Sequence, residues 1–142
     1  MEIEIRELNN KDEMLLALPL IGQMYEKINS EKFISALDEM ISRNNYKMVA
    51  AFCDEKMIGV AGYWISYMFY CGRYLQVCNF VVDKKNRKSG VGGKILNYLE
   101  KKARLEKCDI FALDSYTENK RSHPLFFREG FYIRGFHFMK DL

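Results

Sequence analysis

At 142 residues the chain has room for one domain, 1–142, with a substantial core, and not for two of ordinary size. Apolar residues make up 49% and charged residues 29%, a balance that excludes intrinsic disorder. The net charge of +3 is too small to demand a nucleic-acid partner, and no apolar run is long enough to span a bilayer as a helix.

In chain order, Glu2 to Leu8 sets Ile3 and Ile5 against charged neighbours, the period of a strand with one wet face. Asn10-Lys11-Asp12 is suited to cap a helix whose apolar positions Leu15, Leu18, Ile21 and Tyr25 recur at helical spacing, and Pro19 should kink or divide it. Ser30-Glu31 starts a second helix with Phe33, Leu37, Met40 and Ile41 on one face. Tyr46–Cys53 and Met57–Tyr67 read as strands joined by the tight turn Asp54-Glu55-Lys56. Cys71-Gly72-Arg73 makes the next turn, and Tyr74–Val82, mostly apolar, reads as a central strand. A glycine-rich segment follows and opens a helix with the buried stripe Val91, Ile95, Leu99 and Ala103. Ile110–Leu113 is a short strand apolar on both faces. A short helix has Pro124 in its first turn and Gly130 at its end, and Phe131–Met139 is expected to close the chain as a strand. The order β-α-α-β-β-β-α-β-α-β predicts an α/β fold, a mixed sheet with helices on both faces.

The cysteines Cys53, Cys71, Cys78 and Cys108 form no CxxC pair, and with only His123 and His137 beside them no metal site is expected. The start Met1-Glu2-Ile3-Glu4 has neither the basic nor the apolar segment of a secretory signal. A reduced, cytoplasmic protein without membrane attachment is the expectation.

The chemistry concentrates in Arg87-Lys88-Ser89-Gly90-Val91-Gly92-Gly93-Lys94. The first amides of a helix have no partners within it and carry the positive end of its dipole. Glycines let an anion approach the backbone, and Arg87, Lys88 and Lys94 add charge, the makings of a pyrophosphate cradle. The dinucleotide fingerprint fails, because Ile95 stands where a third glycine belongs. The Walker pattern fails too, because Ile95 rather than Ser or Thr follows Gly93-Lys94. A strand-to-helix turn without a ligand remains the alternative at this level.

The segment Val82-Asp83-Lys84-Lys85-Asn86-Arg87-Lys88-Ser89-Gly90-Val91-Gly92 resembles the signature of the GNAT acetyltransferases, a strand valine followed by R/Q-x-x-G-x-G/A opening a helix. Lys84 stands where that family usually has proline. Asn119-Lys120-Arg121-Ser122-His123-Pro124-Leu125-Phe126-Phe127-Arg128-Glu129-Gly130-Phe131 is similar to the family's later motif N-x-x-A-x-x-F-Y-x-x-x-G-F. The resemblance covers essentially the whole chain and implies a mixed, mostly antiparallel GNAT-type sheet. It implies acetyl-CoA as acetyl donor, its pyrophosphate on the backbone amides of Arg87 to Gly93. Its pantetheine arm would lie along the strand edge at Phe80, Val81 and Val82, with Asn119, Leu125 and Phe126 facing the arm and its sulfur.

Members of that family often use the tyrosine of the F-Y pair as general acid, and here Phe126 holds that place. The carboxylate base often found on the preceding strand is also missing, with Gln76 and Asn79 there instead. Tyr116 and Asp114 are the nearest titratable groups, and Tyr116 is the candidate catalytic residue; Asp114 could equally cap the following turn. His123 reads as a helix N-terminal residue. The stretch from His123 to Lys140 resembles a small-amine branch of the family that includes the aminoalkylphosphonate acetyltransferases, which implies a small-molecule primary amine as acceptor. The aromatic run Tyr63, Trp64, Tyr67, Phe69 and Tyr70, with Met24 and Tyr25, reads equally as an acceptor cleft or as core plus a homodimer surface. The rivals are a protein or larger-acyl N-acyltransferase and a CoA-binding module that has lost catalysis.

Overall fold

In the segment Lys47–Cys53 (β2), neighbouring residues serve two different cores: Met48 and Ala50 pack on one side of the sheet, Val49 and Ala51 on the other. That alternation is what a strand covered on both faces requires. The computed structural model describes residues 2–142. Its elements are β1 Glu4–Leu8, α1 Lys11–Leu15, α2 Leu18–Met24, α3 Ser30–Asn44, β2, β3 Lys56–Met68, β4 Gly72–Val82, α4 Val91–Leu105, β5 Ile110–Leu113 and α5 His123–Arg128. The five strands lie in chain order; every neighbouring pair is antiparallel except β4 and β5, which are parallel.

Local signals explain most boundaries. Asn10 and Asn29 cap α1 and α3, each side-chain oxygen accepting the amide three residues on, at 2.9 and 2.8 Å. Pro19 divides the first helical stretch and sits in the first turn of α2, where its missing N–H costs nothing. Asp54 and Glu55, both at positive φ, make the β2–β3 hairpin turn. The first core joins Leu8, Met14, Leu20, Ile21, Phe33 and Leu37 to one sheet face; the second joins the α4 stripe Val91, Ile95, Leu99 and Ala103 to the other. The sheet therefore has helices on both faces. Among the described residues no helix is long and apolar enough to cross a membrane.

The order ends in α5, not in a strand. Phe131–Met139, expected to close the sheet, takes no regular structure. A strand needs a ladder partner as well as an alternating sequence. The backbone leaves α5 through Gly130 at φ +92, Phe131 packs against Phe111, and the rest of the segment lies exposed without a strand beside it.

Candidate active site

Two strands part company at one end of the sheet. β4 pairs with β5 only from Tyr74↔Ile110 to Val77↔Leu113, yet β4 continues to Val82. The backbone of Cys78–Val82 therefore has no strand on that side, although on its other side it follows β3. There the register slips, Gly62 opposing Cys78 and Val60 opposing Val81. Asn79 takes up the slack at φ +49, a left-handed conformation that a short amide side chain tolerates.

The bulge aims Asn79 at two phenols. Asn79 Oδ1 accepts from Tyr46 Oη at 2.9 Å, and Asn79 Nδ2 donates to Tyr25 Oη at 3.3 Å. Gly62 is glycine because a Cβ there would overlap the Tyr46 ring. Burial pushes the Tyr46 phenol well up, helped by Cys78 and Tyr25. Tyr25, half-buried beyond the end of α2, is also raised, chiefly by burial, with Tyr116 and Cys78 adding and the Asn79 hydrogen bond opposing. Both phenols keep their protons at neutral pH. Cys78 is pushed up to about 12 by burial and the nearby Asp114 carboxylate.

At the far end of β4 the chain turns through Asp83. Its buried carboxylate accepts from Lys85 N and Gln23 Nε2, both at 3.2 Å, and Gln23 Oε1 in turn accepts from Lys84 N at 3.1 Å. Burial alone would raise this carboxyl; the two hydrogen bonds and the charges of Lys56 and Lys85 outweigh it and hold the group below its ordinary value. Ser89 Oγ donates to Asn86 O and closes the turn. Lys88 at φ +69 and Gly90 at φ +81 lead into α4, whose opening amides, Val91, Gly92 and Gly93, have no carbonyl of their own helix within reach. The glycines differ in what they permit. Around Gly90 there is open space, whereas a Cβ on Gly92 would press against Leu125 and the Phe80 ring at 3.0 and 3.2 Å. Gly90 is available to a ligand; Gly92 is required by packing. A surface groove of about 1370 Å³ among α1, α3 and β1 includes no residue of this turn.

Opposite the open edge stands α5. Phe126 is buried, 6.1 Å from Phe80 and 6.1 Å from Phe131, so its ring fills the floor between β4 and β5. Asn119 is half-buried, its Oδ1 accepting from Ser122 Oγ at 3.4 Å. His123 Nε2 lies 3.1 Å from both Ser115 Oγ and the Tyr116 carbonyl and ties the loop together. Tyr116 itself is exposed. The structure thus brings Phe80, Val82, Leu125 and Phe126 together beside Gly92 of the Arg87–Lys94 turn. The Val81 side chain packs in the core on the other sheet face, and Tyr116 lies exposed on the loop after β5.

This is a backbone edge without a partner, running into a glycine turn at a helix N-terminus, and the sequence matches accordingly. Residues 14–131 match the acetyltransferase (GNAT) family. The chain belongs to that family. This GNAT enzyme is 21% identical over 141 residues to an uncharacterized N-acetyltransferase, YhdJ, of Bacillus subtilis (strain 168), with 99% of each chain covered. Its fold is similar to that of glucosamine-6-phosphate N-acetyltransferase from Arabidopsis thaliana, at 21% identity and a TM-score of 0.74 over 99% of each chain. It is also similar to AAC(6')-Iy in complex with the bisubstrate analog CoA-S-monomethyl-acetylneamine, at 20% identity and a TM-score of 0.82 over 100% of each chain. GNAT acetyltransferases use acetyl-CoA, and this GNAT protein is an acetyl-CoA-dependent N-acetyltransferase. The residues present suit that donor: Gly90 leaves the helix N-terminus open to a phosphate, and Cys78–Val82 offer unpaired amides and carbonyls to an extended amide chain.

Nothing in the sequence announces the hydrogen-bonded chain Tyr46–Asn79–Tyr25. Its three members come from different elements, so no spacing could announce it; the one local hint was asparagine, a residue tolerant of left-handed backbone, inside an apolar strand.

Proposed function

We propose that residues 1–142 form a single acetyltransferase domain that moves acetyl from acetyl-CoA to the primary amine of a small molecule. The observation that carries this reading is the unpaired edge of β4, Cys78–Val82, leading straight into the Gly90 turn. The amides of Arg87 to Gly93 take the pyrophosphate, with Arg87, Lys88 and Lys94 as surrounding charge. The β4 edge at Phe80, Val81 and Val82 binds the pantetheine arm, and Asn119, Leu125 and Phe126 line its other side. Two features support a small-amine acceptor. One is the resemblance of the His123–Lys140 stretch to the small-amine branch. The other is the fold shared with enzymes named for glucosamine-6-phosphate and for aminoglycosides, whose amines belong to small molecules.

Acetyl-CoA supplies a thioester. The amine lone pair attacks its carbonyl carbon, the C–N bond forms, the C–S bond breaks, the nitrogen sheds one proton to water, and the departing thiolate takes one up. An amide on the β4 edge polarises the carbonyl oxygen. Tyr116 and Tyr25 are the phenols at this gap, and Tyr25 is the better held of the two. Cys78 is no nucleophile, because a thiol raised to about 12 holds almost no thiolate at neutral pH. A protonated Cys78 supports direct transfer, from thioester to amine.

The test is CoA thiol release against a panel of aminoalkylphosphonates, amino sugars, aminoglycosides, polyamines and lysine peptides. Turnover confined to small amines supports the proposal. Turnover confined to peptides replaces it with protein acylation, and tight acetyl-CoA binding without turnover on any amine replaces it with a binding module.

A further inference from the structure

The Tyr46 hydroxyl is a polar group in an apolar place. Its ring lies in the first core with Leu8, Met14, Phe33 and Leu37, and the residue is 3% exposed. Phenylalanine would fill the same core space, so packing alone does not call for the oxygen. Its position is fixed from two directions. The chain leaves α3 through Asn45 at φ +51, with Tyr46 N donating to Met40 O at 3.3 Å. On β3, Gly62 has no Cβ where the hydroxyl sits.

Among the described residues, Asn79 Oδ1 is the one acceptor that Tyr46 Oη reaches, at 2.9 Å. A carboxamide has an oxygen end that accepts and a nitrogen end that donates, and Asn79 could face its two phenols either way round. The phenols do not weigh equally. With the nitrogen toward Tyr46, the buried Tyr46 O–H would have no acceptor, and water could not replace one there. Tyr25 is only half-buried, and its proton can find water. The Tyr46 proton therefore chooses the orientation, Oδ1 toward Tyr46 and Nδ2 toward Tyr25 at 3.3 Å. The reverse orientation would commit the Tyr25 proton to Asn79 Oδ1.

We infer that Tyr46 is a positioning residue for acetyl transfer, acting through the Asn79 carboxamide to keep the Tyr25 hydroxyl proton free for the departing thiolate. The inference rests on Tyr25 as the proton donor of the proposed reaction. When the C–S bond breaks, its electron pair stays on sulfur and the Tyr25 proton moves to it. Asn79 Nδ2 then donates to the phenolate left behind, which regains a proton from the water that took one from the amine nitrogen.

The experiment compares the full chain with Tyr46→Phe, Tyr25→Phe and the double variant, using acetyl-CoA and the amine of the panel above that turns over fastest. Tyr46→Phe should lower kcat at least tenfold and leave KM for acetyl-CoA within about twofold. Added to Tyr25→Phe, it should change kcat less than about twofold, because the group it acts through is gone. Equal losses in both backgrounds would mark general damage and overturn the proposal. A costly Tyr25→Phe beside an unaffected Tyr46→Phe would overturn it alone, whereas full activity in Tyr25→Phe would remove Tyr25 as donor and the proposal with it. A second measurement needs no acceptor: NMR of tyrosine labelled with ¹³C at Cζ follows the Tyr25 phenol as pH is raised. Tyr116 and Cys78, whose charges bear on Tyr25, are untouched by the substitution. Without Tyr46 the amide no longer points its nitrogen at the phenolate in advance, so the Tyr25 pKa should rise by at least half a unit, about a threefold drop in its ionisation constant. A Tyr25 pKa that stays level or falls would overturn the proposal whatever the turnover.

Discussion

Asn79 Nδ2 reaches the Tyr25 hydroxyl at 3.3 Å while Asn79 Oδ1 accepts the proton of Tyr46 at 2.9 Å. With this polarity neither hydrogen bond uses the Tyr25 hydroxyl proton. With the Asn79 amide donating to it, the Tyr25 oxygen keeps its own O–H to give elsewhere, toward the gap it shares with Tyr116 and Cys78. The arrangement depends on a backbone conformation. Asn79 can address both phenols because the bulge holds it at φ +49.

Tyr25→Phe removes that proton and keeps the ring. Turnover should fall about 10²–10⁴-fold, the usual worth of a positioned acid, with little change in KM for acetyl-CoA. Tyr116→Phe, at an exposed ring, should cost less; a larger loss there would transfer the role to Tyr116. Phe126→Tyr should give no gain, because that ring is packed between Phe80 and Phe131. With no protein carboxylate as base, kcat/KM should climb with pH as the amine acceptor loses its proton. A falling limb should appear only above pH 10.0, since the Tyr25 phenol is raised from that value.

Gly90→Val and Gly92→Val should fail in different ways. At Gly90 the space is open but φ is +81, so a branched residue shifts the turn, at a cost of about 1–2 kcal/mol, and weakens acetyl-CoA binding while the fold survives. At Gly92 the new side chain meets Leu125 and Phe80, and overpacking should cost about 1–3 kcal/mol of stability before any ligand is considered. Melting curves separate the two. Wild type should gain about 2.7 kcal/mol at acetyl-CoA a hundredfold above Kd. Gly90→Val should melt somewhat below wild type and lack that gain, and Gly92→Val should melt lower still before any ligand is added.

Asp83 makes stability sensitive to acid. Its folded pKa lies below the unfolded value of about 3.9. The carboxylate therefore contributes its full stabilisation above that value, and the contribution fades as pH falls through the folded pKa. Asp83→Asn should cost on the order of 1 kcal/mol at pH 7. The gap between variant and wild type should narrow below about pH 4. A gap that stays constant down to pH 2 would show that the carboxylate charge plays no part in holding the turn.

Cys78 should be a bystander in transfer. Iodoacetamide at pH 7.5 should modify it far more slowly than an ordinary free thiol, because burial and Asp114 suppress its thiolate. Cys78→Ser should keep turnover within a few-fold of wild type. A covalently acetylated Cys78 in mass spectra of the protein mixed with acetyl-CoA would contradict direct transfer.

The sequence by itself determined the features whose causes are local. Pro19 divided a helix, Asn10 capped one, Asp54-Glu55 turned a hairpin, and the spacing of Val91, Ile95, Leu99 and Ala103 fixed the buried face of α4. The glycine segment was legible for the same reason, since a helix N-terminus and its glycines are neighbours in the chain. Tertiary structure decided whatever needed a partner from far away. Phe131–Met139 alternates well enough for a strand, but a ladder requires a partner, and the folded chain does not lay this segment along one. The packing demand on Gly92 appears only once α5 places Leu125 against it. The hydrogen-bonded chain Tyr46–Asn79–Tyr25 forms only when the β4 bulge turns Asn79 toward two phenols from other elements. Propensity and periodicity act within a few residues, whereas contacts of this kind exist only after the chain has closed on itself.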